Sequence, residues 1–209
     1  LTAAVVLAVA SCGGSSSSAS PKTSAGAKPA TGAKPAAATP VSFDGPTLAT
    51  PAAEPPLVLR DYLGHKVDIS TYQGKAVLVT FLYTHCPDVC PLIAANLHNA
   101  LALLGPQAAK VKIVAVSTDP RGDAPAAVRA FVALHGMTGR MEYLIGTRRA
   151  LTPVWKVWGV SASNPTASDK VNHTAAIYGI SASGRVMTLY ASNFKPSDIA
   201  HDVPLLASQ

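Results

Sequence analysis

One stretch limits the fold of this chain more than any other: Leu78 to Leu104, LVTFLYTHCPDVCPLIAANLHNALALL. A β-branched, apolar run stops at Cys86-Pro87-Asp88-Val89-Cys90-Pro91, and apolar residues then recur at helical spacing through Leu92, Ile93, Leu97, Ala100, Leu101 and Leu104 until Gly105-Pro106. A strand therefore hands two thiols to the start of a helix. Proline disfavours the α-region in the residue before it, so Cys86 and Cys90 are expected to be extended and the helix to open at Pro91, with Cys90 at the N-cap. Both sulfurs would lie near the positive end of the helix dipole, which favours thiolates. Such a pair can share a soft metal or close a disulfide.

The rest of the foldable chain follows the same alternation. Leu57 to Ser70 reads as a hairpin turning at Leu63-Gly64-His65, and Ala76–Leu82 and Val111–Ser117 read as buried strands. Ala124–Leu134 is a predicted helix, Tyr143–Ile145 a short strand, and Arg148–Val157 a helix interrupted by Pro153. After a polar stretch from Ser161 to Val171, His173–Ser181 and Arg185–Tyr190 flank a turn as an antiparallel pair, and Pro196 opens a last helix. This order predicts an α/β, thioredoxin-like domain with an N-terminal β-hairpin, over residues 57–209.

Upstream of it the composition changes. Residues 1–10, LTAAVVLAVA, are apolar and too short to span a bilayer, and they run into Ser11-Cys12. This resembles the end of a bacterial lipoprotein signal peptide, so residues 1–11 are read as a signal remnant and Cys12 as the lipidated residue. Residues 12–56 are rich in Ala, Pro, Ser and Lys and cannot bury enough apolar surface to offset their ordering entropy. They are expected to form a disordered tether, with an end-to-end distance of about 35 to 40 Å. A membrane anchor that is not lipid, with Cys12 incidental, is the alternative.

The chain carries a net charge of +6, yet its Lys and Arg residues are scattered and not interleaved with aromatics, which argues against nucleic-acid binding. A basic surface facing an anionic membrane or an acidic partner is compatible with that charge. With Cys12 at the far end and Cys86 and Cys90 together, no cysteine remains for a structural bridge elsewhere.

FLYTHCPDVCP, with Ser117-Thr118-Asp119-Pro120 and Asp123-Ala124-Pro125 downstream and Asn172-His173-Thr174 later, resembles the Sco (SenC) copper-binding proteins over about Pro56 to Ile199. The resemblance implies that Cys86, Cys90 and His173 are copper ligands, with His173 at a strand start facing the cysteine loop where thioredoxin-like reductases carry a proline. Copper(I) is soft and accepts low coordination numbers, so two thiolates and an imidazole suit it. Asp119 is expected either to orient His173 from outside the ligand set or to cap its own turn. Ala124 stands where the family often has Thr, and Asn172 where it often has Asp.

The resemblance further implies one bound copper ion, Cu(I) or Cu(II), and a role in delivering copper to the binuclear copper site of cytochrome c oxidase or in keeping the cysteines of that site reduced. Its partner would be the copper-site subunit of that oxidase or another copper carrier. The expected setting is a monomer lipid-anchored to the bacterial cell membrane, its domain on the extracytoplasmic side. Without metal, Cys86 and Cys90 could instead be the redox pair of a thiol-disulfide oxidoreductase, a peroxidase would need only one of them, and a binding module would keep them as a structural disulfide. His85 is expected to point away from Cys86, since neighbours in an extended segment alternate. His65, His98, His135 and His201 are read as turn, surface or helix-end residues, Asp88 as a loop or docking charge, and Tyr83, Trp155 and Trp158 as packing.

Overall fold

The computed structural model describes residues 42–162 and 175–209. Cys12, the expected signal remnant, the tether as far as residue 41, and His173 lie outside the described residues. The sheet is built around β4 (Ala76–Leu82), all seven residues of which are buried. Its side chains alternate between two cores. Ala76, Leu78 and Leu82 join one cluster, and Val77, Val79 and Phe81 join the other. A strand covered on both faces needs this near-continuous apolar sequence.

On one side β4 pairs in parallel with β5 (Val111–Ser117), which pairs in parallel with β6 (Met141–Ile145). On the other it pairs antiparallel with β7 (Ala176–Ile180), followed by β8 (Arg185–Ala191). The hairpin β2 (Val58–Asp61) and β3 (Lys66–Asp68) extends the sheet beyond β6. Helices α1 (Val89–Leu104), α2 (Pro125–Leu134) and α4 (Pro196–Leu206) cover the first face, and α3 (Arg148–Val157) covers the second. This is a thioredoxin-like α/β fold carrying the expected hairpin.

Two boundaries differ from the sequence reading. Helix α1 begins at Val89, two residues before Pro91, which places Cys90 inside the first turn and leaves the N-cap to Asp88. Proline is tolerated there because first-turn N–H groups have no intrahelical acceptor. Cys90 then continues the buried stripe Ile93, Ala94, Leu97, Ala100, Leu101 and Leu104, and that burial outweighs the bias of a residue preceding proline.

Regular structure also starts earlier than Leu57. Within the segment read as tether, β1 (Thr47–Ala53) pairs antiparallel with β8 at the sheet edge. The turn before it is clasped by Asp202 of α4, a fully buried carboxylate. Its oxygens accept from Asp44 N (2.8 Å), Gly45 N (2.9 Å), the Tyr190 hydroxyl (2.8 Å) and His201 Nδ1 (2.8 Å). Gly45 has no room for a side chain, since a Cβ would lie 2.1 Å from the Tyr190 ring.

Asp202→Ala is expected to cost about 3 kcal/mol, because buried donors lose their acceptor. Urea denaturation of the two proteins measures it, and unchanged stability would show the clasp to be dispensable. The Asp202 carboxylate, more than Asp44, raises the pKa of His201. The stability from that ion pair is therefore complete below the ordinary imidazole range and disappears as pH rises through the raised value. The gap between the two proteins should narrow over that window.

Candidate metal centre

Strand β4 ends at Leu82, and the chain crosses to α1 through Tyr83-Thr84-His85-Cys86-Pro87. This places both cysteines at the carboxyl end of the central strand, beside its switch from a parallel to an antiparallel neighbour, where open α/β sheets bind ligands. Cys90 is fully buried, and Cys86 is buried with a small exposed fraction. Neither is in a disulfide. The Cys90 backbone N–H donates to Cys86 Sγ at 3.4 Å. The Asp88 carboxylate makes no cap bond, so the Cys86 sulfur takes the role a capping side chain would have, while Pro91 contributes no N–H to satisfy.

This environment splits the two thiols. The Cys90 side chain, hydrogen-bonded to Cys86, is the main influence lowering the pKa of Cys86, helped by the N–H groups of Asp88 and Cys90 and by the Tyr83 side chain, against the opposing effect of burial. The same bond, then burial, pushes Cys90 up. The pair is thus biased toward a thiolate on Cys86 and a thiol on Cys90. Tyr83, read as packing, contributes its side chain to this site and accepts Cys86 N–H at its carbonyl (3.3 Å).

The loop is held by a residue that the sequence motif includes but to which no role was assigned. Asp123 is buried, with Oδ1 accepting from the Thr84 backbone N–H and hydroxyl, both at 2.8 Å, and Oδ2 from Ser117 Oγ (2.6 Å) and the Tyr143 hydroxyl (3.2 Å). It ties the cysteine loop to the carboxyl end of β5 and to β6. Burial raises its pKa despite these four donors. The sequence signal was present in Asp123-Ala124-Pro125, where a carboxylate precedes a helix start.

Asp119 accepts the Arg121 N–H at 3.1 Å, which is the turn-capping role. A Cβ on Gly122 would lie 2.2 Å from Asp119 Oδ2 and 3.0 Å from His85 Nδ1, so the carboxylate and the exposed His85 ring flank this glycine. His85 Nδ1 also lies 3.1 Å from Thr84 Oγ1. His65 meets Asp61 in the hairpin, His98 meets the Gly136 carbonyl, and His135 packs on Phe131. Trp155 donates to the Ser117 carbonyl at 2.9 Å and Trp158 packs on Phe81 and Tyr178.

The family model described as SCO1/SenC matches residues 46–208. The chain belongs to the SCO1/SenC family. This Sco domain is 30% identical to ScoI of Bradyrhizobium japonicum, solved with copper bound, at a TM-score of 0.65 over 74% of this chain and 99% of that one. The apo Sco1 of Thermus thermophilus is 28% identical, with a TM-score of 0.66 over 82% of this chain and 99% of that one. A SCO1/SenC family lipoprotein of Bacillus anthracis is 25% identical, with a TM-score of 0.67 over 77% and 99%. The SCO1 homolog of Bacillus subtilis is 24% identical over 71% of this chain and 79% of its own length. Against the mouse mitochondrial SCO1 homolog, 25% identical over 75% of this chain, the match spans only 57% of the relative.

The family match begins at residue 46, so it includes β1. The two sulfurs fit a soft cation: the lowered pKa of Cys86 favours its thiolate, and Cys90 would release its proton on binding a metal.

The asymmetry of the pair is directly testable. In the reduced protein at neutral pH, iodoacetamide is expected to modify Cys86 at least about tenfold faster than Cys90, because the thiolate is the nucleophile. Peptide mass spectrometry at short times measures the ratio. Equal labelling would contradict this asymmetry.

Proposed function

We propose that this Sco domain binds one copper ion through Cys86, Cys90 and His173 and works in cytochrome c oxidase assembly, delivering copper to the binuclear copper site or keeping its cysteines reduced. The observation that carries this reading is the Cys86–Cys90 pair, bonded sulfur to helix N–H at the carboxyl end of β4. Copper-bound relatives such as the Bradyrhizobium ScoI support it. The remaining ligand is supported by chain connectivity. Ile177 of β7 pairs with Thr80, and the Ala176 carbonyl accepts from Thr80 Oγ1 at 3.1 Å. Because β7 runs against β4, the chain enters β7 at the cysteine end. Residue 173 is three residues upstream of Ala176, a reach of about 11 Å, which is compatible with an imidazole joining the sulfurs.

In this role Cys86 is the first point of exchange, since its pKa is lowered and it keeps a small exposed fraction while Cys90 is fully buried. Binding requires Cys90 to give up its proton. Asp123 keeps the loop in place during that change through Thr84, and Asp119 is proposed to act on His173 from outside the ligand set. Cys12 is proposed to carry lipid and to anchor a monomeric protein on the extracytoplasmic side of the bacterial membrane, a reading that the Bacillus anthracis lipoprotein supports. The proposed partner is the oxidase copper-site subunit or another copper carrier.

The split between the two thiols also favours a second reading, a thiol-disulfide oxidoreductase in which Cys86 attacks and Cys90 resolves without metal. His173 separates the two. Anaerobic Cu(I) titration of the reduced protein should give one ion per chain. Cys86→Ser, Cys90→Ser and His173→Ala should each weaken binding more than about tenfold, the loss of one ligand from a small set. His173→Ala should leave disulfide exchange intact. Unchanged copper affinity in all three variants would overturn the site.

A further inference from the structure

The end of the domain opposite the cysteines has a distinct chemistry. The parallel strands β4, β5 and β6 begin there, and α1 and α2 end there. A cleft of ≈ 710 Å³ opens between them, lined by Lys75, His98, Leu101, Val111, Lys112 and Arg140 among others, with no carboxylate in its wall. Lys110 stands beside it, exposed. The nearest acid on these strands, Glu142, is engaged by Lys112 Nζ at 2.9 Å and by the Tyr72 hydroxyl. Lys75, Lys110 and Arg140 are therefore in no ion pair among the described residues, and Glu54, at the Gly184 turn of the same end, lies outside the cleft wall.

An independent feature coincides with them. The two most exposed large apolar side chains among the described residues are Leu134 at 80% and Leu103 at 64%. Leu103 is in the last turn of α1, between cleft-lining Ala102 and Gly105, and Leu134 closes α2, two residues before Gly136, whose carbonyl meets the cleft residue His98. Neither has a functional explanation in the thiol site.

From this coincidence we propose that this end of the domain, Lys75, Lys110, Lys112 and Arg140 with Leu103 and Leu134, docks on an anionic lipid bilayer. The charges complement acidic headgroups. Side chains this exposed protrude instead of lining a groove, so a fluid interface can receive them, whereas a protein partner would need preformed holes. The negative end of α1 at Gly105 works against an anion there, which leaves the attraction to the side chains. The six steps along β4, at about 3.3 Å each, separate this surface from the cysteine loop by about 20 Å, so docking would turn the thiols away from the membrane. The inference is independent of the copper reading.

The test uses the chain from residue 12 onward, the mature form on the lipoprotein reading, with Cys12→Ser so that no acyl group can attach, and sedimentation with vesicles of phosphatidylcholine alone or with about one-third phosphatidylglycerol. Binding is expected only to the anionic vesicles and is expected to weaken with added salt. Arg140→Glu should lower it about fivefold or more, while Arg121→Glu, the same charge change at the thiol end, should not. Leu103→Ser with Leu134→Ser should also reduce it, and circular dichroism of each variant confirms folding. A parent protein that ignores anionic vesicles, as one built for an acidic protein partner would, overturns the proposal. Equal losses from Arg140→Glu and Arg121→Glu do so as well, by reducing it to net charge.

Discussion

The contact on which the site depends is a sulfur accepting a backbone N–H. Helix α1 must begin against the end of β4 without a side-chain cap, because Asp88 makes none. Cys86 Sγ fills that position at 3.4 Å from Cys90 N. A thiolate suits it better than a thiol, since the helix terminus carries partial positive charge. The fold thus stabilises the ionised sulfur in the course of starting its main core helix. The same bond fixes the separation of the two cysteines, so local structure and site chemistry have one origin.

A short loop carrying such a contact would drift without a support. Asp123 supplies one from the opposite side, accepting two bonds from Thr84 while held by Ser117 and Tyr143. Its donors come from the cysteine loop, β5 and β6, so the carboxylate couples the loop to two neighbouring strands. Burying a carboxylate is costly, as its raised pKa indicates. Four donors offset that cost, and the cost is incurred beside the thiols, where positional precision matters.

Much of this was legible in the chain because it follows from periodicity. The seven buried residues of β4, the stripe from Cys90 to Leu104 and the β7–β8 turn each leave a pattern that a window of residues reveals. What escaped has no local pattern. Strand β1 is exposed at nearly every position and contains Pro51, so it resembles the tether before it. It is held by backbone pairing to β8, by Leu189 N–H on the Pro46 carbonyl and by the distant Asp202 clasp, none visible from its own composition. Asp202 and Asp123 were missed for the same reason: their partners are brought together only by the fold. The start of α1 was displaced by two residues because the preference of Cys90 for burial is tertiary, while the proline rule is local.

The two readings of the pair share a single constraint, the proton between Cys86 and Cys90. For metal binding, that proton must leave as the second sulfur becomes a ligand. For disulfide formation, the same proton must leave as two electrons do. The full burial of Cys90 slows both unless a group arrives at Cys86 first, whether a soft cation or an incoming thiolate. The pair therefore does not by itself choose between carrying copper and reducing thiols. What would distinguish them is a third donor, which would make the state with both sulfurs ionised tolerable by sharing a cation with them. On the proposed copper reading His173 supplies that donor, so its replacement separates the two chemistries more cleanly than loss of either cysteine.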